Sequence, residues 1–310
     1  MTGEVTYTAE KRVMELVKIK FGTSLFYYIY LLACVGVFLG MYFGLRKKSD
    51  RVKKWALFGV LAFNFALHFL KLAFPEYIDK GFPGIIRKCT PENICAVSTL
   101  IFPFIYLSKW KAGKDYMFYI GIAGGVLGCV APMPALDLPF YSPEVMRYYF
   151  CHASLWQVPL LMVIFGQHKL DYRRIWKTMA MYFIVLCIII VNELILIRIG
   201  WVGTSSLEEF FDPSGRDMGY AVGVPLDMEG VGKFILWMTP RAWKNPYVPI
   251  LWELFPVIIY GGIYAVLLCS YWEHEHMRQD ILTVANKIKQ FISRKKAVND
   301  NSLNGEESDD

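Results

Sequence analysis

Apolar residues in this chain are gathered into long runs rather than alternating or recurring at amphipathic spacing. Seven runs stand out, at 24–45, 55–74, 93–108, 116–136, 146–166, 175–200 and 248–270. Most are about 20 residues, the length a helix needs to cross ~30 Å of hydrocarbon. The first, Ser24–Leu45, holds no charged residue. The third is short and contains Pro103. The pattern predicts an all-α fold: a polytopic membrane helical bundle of about seven transmembrane helices.

Organisation follows from the runs. Residues 1–23 read as an amphipathic lead-in, 24–270 as one membrane domain, and 271–310 as a basic helix followed by an acidic, disordered tail. Within the membrane domain, 201–247 is the one long connection. It is broken by Gly and Pro but carries Phe234, Trp237 and Trp243, as expected of a lid over the bundle rather than a free linker. The fourth run holds Gly121, Gly124, Gly125 and Gly128; the two pairs spaced by four let neighbouring helices approach closely. Pro103, Pro159 and Pro256 are expected to kink their spans.

Composition sharpens this picture. The 310 residues are 55% hydrophobic and 16% aromatic. The net charge of +6 does not point to nucleic acid, because the basic residues cluster at span ends. Loops 46–54, 109–115 and 167–174 hold 6, 3 and 3 Lys/Arg, against 3 and 0 in loops 75–92 and 137–145. The positive-inside rule then places the N-terminus outside and the C-terminus in the cytoplasm. The first run is too long for a cleavable signal, so it is expected to remain. The seven cysteines show no metal-ligand spacing; no metal and no cofactor are expected. Cys89 and Cys95 lie near the outer surface, where a disulfide between them stays open as an alternative.

Polar side chains inside hydrocarbon are costly, so each is a candidate functional residue. They are Asn64, His68, Asn93, Cys95, His152, Gln157, Asn192, Glu193 and Glu253. Counting along alternating spans puts His68, Cys95, His152, Glu193 and Glu253 in one outer slab roughly 10 Å thick. Asn64 and His68, at i and i+4, share a helix face. A polar pocket in the outer half of the bilayer is expected, with Asn64, His68, Asn93 and Asn192 at hand for substrate. At least one of the two Glu is expected to bond a His or Asn from another span. Cys95, His152 and a Glu have the makings of nucleophile, base and orienter, and acyl transfer through a thioester is the natural chemistry beside membrane lipid.

Pro91-Glu92-Asn93-Ile94-Cys95, Tyr148-Tyr149-Phe150-Cys151-His152 with Val158-Pro159, and Trp252-Glu253-Leu254 after Asn245-Pro246-Tyr247 together resemble the YwaF-like integral membrane proteins. That family is related to the animal acyltransferase transmembrane protein 164. The resemblance covers about residues 24–270. It implies a multi-helix membrane fold and, in the animal branch, a cysteine-dependent lipid acyltransferase with a His partner, here His152. In the animal pattern the Cys directly follows the Pro, where this chain has Glu92. Bacterial members resemble Pro-Leu-His-Leu-Cys, which puts their Cys at Cys95 and their His at Asn93, so the chain is closer to the bacterial branch. Three readings stand: an enzyme on an acyl-lipid substrate, a small-solute or proton transporter, and a non-catalytic membrane scaffold. The apolar inner half of the spans weighs against the transporter.

Overall fold

A computed structural model describes residues 16–78, 81–202, 207–212, 221–223, 233, 237, 239–241, 250–254 and 256–306. Among the described residues the main helices are α1 (Leu25–Leu45), α2 (Asp50–Leu70), α3 (Ile94–Leu107), α4 (Lys111–Val130), α5 (Pro143–Ile164), α6 (Ile175–Arg198) and α7 (Gly262–Glu306). Among the described residues, five segments are long and apolar enough to cross a membrane: Leu25–Leu45, Asp50–Ala73, Lys111–Ala135, Tyr172–Arg198 and Pro256–Ser293. α3 has only 14 residues. α5 is long but carries Glu144, Arg147 and His152. The chain is thus a multi-pass, all-α integral membrane protein in which five segments meet the requirement of length and apolarity.

Helix starts follow local chemistry. Ser24, Asn93 and Ser142 each accept a backbone amide two or three residues into α1, α3 and α5. Pro143 at the first position of α5 loses nothing, since that amide has no helical partner. α1, α3 and α5 begin at one end of the bundle, here the upper end, where α2, α4 and α6 finish. The main core cluster joins Leu57, Leu61, Phe102, Met117, Leu161 and Leu186 from five helices.

Immediately before α1, the described residues are pinned. Residues 17–19 run alongside the α4–α5 connection, with Ile19 N–H bonded to the Leu138 carbonyl at 2.9 Å and Phe140 N–H to that of Val17 at 2.8 Å. Most of 201–247, including Phe234 and Trp243, lies outside the described residues. Of the rest, Phe210, Ala221 and Val222 are buried in the main core cluster, whereas Trp237 is exposed.

The last run departs from the 248–270 span. Leu251–Glu253 forms a separate turn, and the helix begins only with a π-helical turn at Pro256–Gly261 before α7. Ile250 sits at φ +63° and donates its amide to the Ala221 carbonyl at 2.6 Å, so the chain is turned before the helix starts. α7 then runs without a break to Glu306, across the stretch whose composition suggested disorder.

Candidate functional site

Two edges of α4 meet different surroundings. A methyl group placed on Gly121 would lie 2.4 Å from the Leu155 carbonyl oxygen, and one on Gly125 would lie 2.7 Å from that of His152. Only hydrogen fits there, and α4 closes directly onto the α5 backbone. The neighbouring pair borders side chains instead. A methyl on Gly124 would touch Cys95 Sγ at 3.7 Å, while one on Gly128 would collide with the His152 ring, 2.0 Å from Cδ2 and 2.8 Å from Nε2. Gly124 and Gly128 are one turn apart, roughly 6 Å along the axis. Cys95 and His152, 57 residues apart in sequence, therefore lie against the same edge of α4. Both are half-buried.

The His152 ring is fixed by α5 itself. Nδ1 lies 2.9 Å from the Tyr148 carbonyl, and the two rings pack with centroids 4.1 Å apart. A carbonyl only accepts, so Nδ1 carries the proton and Nε2 keeps its lone pair in the neutral ring. The Tyr148 hydroxyl donates to the Gly128 carbonyl at 3.1 Å, tying the α5 side of the arrangement to α4. Cys95 is in the first turn of α3, whose unpaired amides favour negative charge. Asn93, expected to meet substrate, caps that same turn through Oδ1, 2.9 Å from Ala96 N.

Neither glutamate bonds His152. Glu193, 1% exposed, is gripped by Arg87 through Nε and Nη2, both at 3.2 Å. Glu253, 3% exposed, accepts the Tyr182 hydroxyl at 2.5 Å. Among the described residues, the partners shown are an Arg from the connection before α3 for Glu193 and a Tyr from α6 for Glu253. Glu253 also leaves the common slab. Tyr182 precedes Glu193 by 11 residues on α6, roughly 16 Å of helix. The cause is the entry turn at Ile250–Glu253, which carries the chain down into the bundle before the last helix begins.

The other candidates bind the rim together. Asn64 Nδ2 donates to Ser154 Oγ at 2.7 Å, joining α2 to α5. Gln157 Nε2 donates to the Cys34 carbonyl at 2.7 Å, joining α5 to α1. Asn192 Nδ2 donates to Thr90 Oγ1 at 3.0 Å. His68 and Cys89 exchange two bonds: Nε2–H to the Cys89 carbonyl at 3.1 Å, and Sγ–H to the His68 carbonyl at 3.1 Å. Burial pushes the Cys89 thiol up, so it stays protonated as that donor. Cys89 and Cys95 form no disulfide.

Sequence reasoning missed the ionic half of this end. Arg147 pairs with Glu144, which also accepts the Tyr77 hydroxyl at 2.7 Å. Arg147 Nη1 lies 3.8 Å from Cys151 Sγ. Lys88 pairs with Glu92 at 3.0 Å. Burial pushes the Tyr77 phenol up, keeping it a donor. The available signal was the i, i+3 spacing of Glu144 and Arg147 at the start of a span.

The family profile described as the TMEM164 family matches residues 20–224, about two thirds of the chain. The chain belongs to the TMEM164 family. In this TMEM164-family protein the match contains both Cys95 and His152 and ends before Glu253. No curated protein and no solved structure matches the chain. Among the described residues no cluster of His, Cys, Asp and Glu is arranged to hold a metal ion.

Proposed function

We propose that this TMEM164-family protein transfers acyl groups on membrane lipid, with Cys95 as nucleophile and His152 as general base. The observation that carries the reading is the shared α4 edge, where Gly124 admits the Cys95 sulfur and Gly128 admits the His152 ring. Nε2, held as the proton acceptor, takes the proton of the Cys95 thiol. The thiolate attacks the carbonyl carbon of a lipid ester, the ester C–O bond breaks, and the departing alkoxide takes the proton back from Nε2. The thioester on Cys95 is then attacked by an acceptor hydroxyl whose proton passes to Nε2 and on to the departing thiolate. The orienter is the Tyr148 carbonyl rather than Glu193 or Glu253. With the N-terminus outside, the half-buried pair lies in the outer half of the bilayer, where an acyl chain reaches it laterally.

The bacterial-branch placement, with the nucleophile at Cys95 and Asn93 as the cap beneath it, is part of this proposal. Labelling in membranes with a lipid-like thiol-reactive probe tests it. Wild type is expected to label, Cys95→Ser to lose the label, and His152→Ala to label slowly, while Cys187→Ser labels as wild type. Labelling that survives Cys95→Ser sinks the reading. A non-catalytic scaffold is the second reading. It is favoured by the employment of Glu193 and Glu144 in links between elements, to Arg87 and to Tyr77, and it expects His152→Ala to leave the labelling rate unchanged.

A further inference from the structure

We propose that the lower end of the bundle holds a binding site for a phosphate-bearing anion, separate from the Cys95–His152 pair and independent of the acyl-transfer reading. A cavity of about 560 Å³ opens there between the α3–α4 connection, the α5–α6 connection and α7. Its volume falls in the range usual for small-molecule sites, ~300–1,000 Å³.

The charge balance of its wall selects the ligand. Lys109, Lys111, Lys114, Lys169, Arg173 and Arg174 line it, against two acids, Asp171 and Glu273. Those acids are already engaged. Asp171 takes Arg174 Nη1 at 3.1 Å, and Glu273 takes His276 Nδ1 at 3.0 Å. Two further carboxylates stand behind the wall. Asp115, 1% exposed, holds Arg174 Nε at 2.5 Å and His168 Nε2 at 2.7 Å. Asp280 of α7 holds Arg173 and the Tyr172 hydroxyl. The arginines are thereby fixed in place, but none of the four lysines has a carboxylate within 4.0 Å among the described residues.

Four like charges around one concavity repel each other, and the repulsion is relieved by an anion with more than one charge. Positive-inside topology explains lysines at this end in general. It does not explain their convergence on a concavity whose carboxylates are all paired. The buried Asp115 clamp holds Arg174 in the wall, and the exposed contact through Asp280 links Arg173 to α7. A phosphoryl group with two negative charges fits this chemistry, carried either by a soluble phosphate compound or by a phosphomonoester headgroup of the adjoining leaflet.

The test uses the full-length protein and three variants. Lys109, Lys111 and Lys169 are exposed, so Lys109→Gln/Lys111→Gln/Lys169→Gln keeps the fold. Lys47→Gln/Lys48→Gln removes exposed charge from the α1–α2 connection at the same end and serves as control. Inorganic pyrophosphate binding to detergent-solubilised protein measures the soluble source. Phosphatidic acid binding to protein in nanodiscs otherwise made of phosphatidylcholine measures the lipid source. We expect at least one probe to bind, with the triple variant at least about tenfold weaker and the control within about twofold of wild type. The probe that shows the loss identifies the source. If neither probe binds, if the triple variant binds as wild type does, or if the control loses as much as the triple variant, the site is overturned. Arg174→Gln, which frees Asp115 within the wall, is expected to weaken the same probe.

Discussion

Two edges of a single helix, about a sixth of a turn apart, carry the same residue type for different reasons. Gly121 and Gly125 on α4 are small because the α5 backbone occupies the space where a side chain would begin. Gly128 is small because an imidazole occupies it, and Gly124 borders a thiol that a methyl there would only touch. In sequence the two pairs are indistinguishable: both are glycines spaced by four in one apolar run. A packing glycine faces backbone that cannot move, whereas Gly124 and Gly128 face the two side chains proposed to react. Substitution therefore separates the edges by what is lost, stability on one and reactivity on the other.

The largest expected effect lies beyond α4 and shows how the site edge is held from outside. Glu193→Leu takes from Arg87 its two-pronged carboxylate partner and leaves it the longer 3.9 Å contact with Glu92. Breaking a buried pair costs about 3–5 kcal/mol, and because the Arg87 side chain keeps 21% exposure, the lower end of that range is expected. Glu193→Gln keeps the shape and an acceptor and should recover most of the loss. Thermal unfolding in detergent measures both; a Leu variant as stable as the Gln variant contradicts the ion pair's structural role.

Next is Gly121→Ala. Overpacking typically costs about 1–3 kcal/mol, and the preference of helices for Ala returns about 1 kcal/mol. With a backbone carbonyl 2.4 Å from the new methyl, the net is a clear fall in unfolding temperature. Gly125→Ala should behave alike.

Gly128→Ala should cost less stability, because the His152 ring can swing aside at the loss of one hydrogen bond to Tyr148, about 1 kcal/mol. Its reactivity should fall. Gly124→Ala is the smallest change: contact at 3.7 Å is ordinary packing, and neither unfolding temperature nor labelling should move. If Gly124→Ala destabilises as Gly121→Ala does, the distinction between the edges fails.

Much of this was readable before the fold was seen. The runs at 24–45, 116–136 and 175–200 mark helices because a bilayer-length apolar stretch has few alternatives. The placement of Cys95 and His152 toward one end of the bundle followed from counting along spans that run in opposite directions. Glu253 could not be placed that way, because a turn at Ile250–Glu253 breaks the count and no periodicity announces it. Arg87 was passed over because it sits in a connection, where a charge carries no depth signal. The Tyr148 carbonyl was out of reach because backbone acceptors have no sequence signature, so a carboxylate was expected where a helix's own backbone serves.

The central claim is that the α4 edge at Gly124 and Gly128 holds Cys95 and His152 as one reactive pair. The most direct test is the rate at which Cys95 is alkylated by a lipid-like probe in wild type, Gly124→Ala, Gly128→Ala and His152→Ala. Loss of a positioned base typically costs about 100-fold or more. Gly128→Ala is expected to fall with His152→Ala, while Gly124→Ala stays with wild type. Equal rates in all four would show that the imidazole does not act on the thiol and that the shared edge is packing alone.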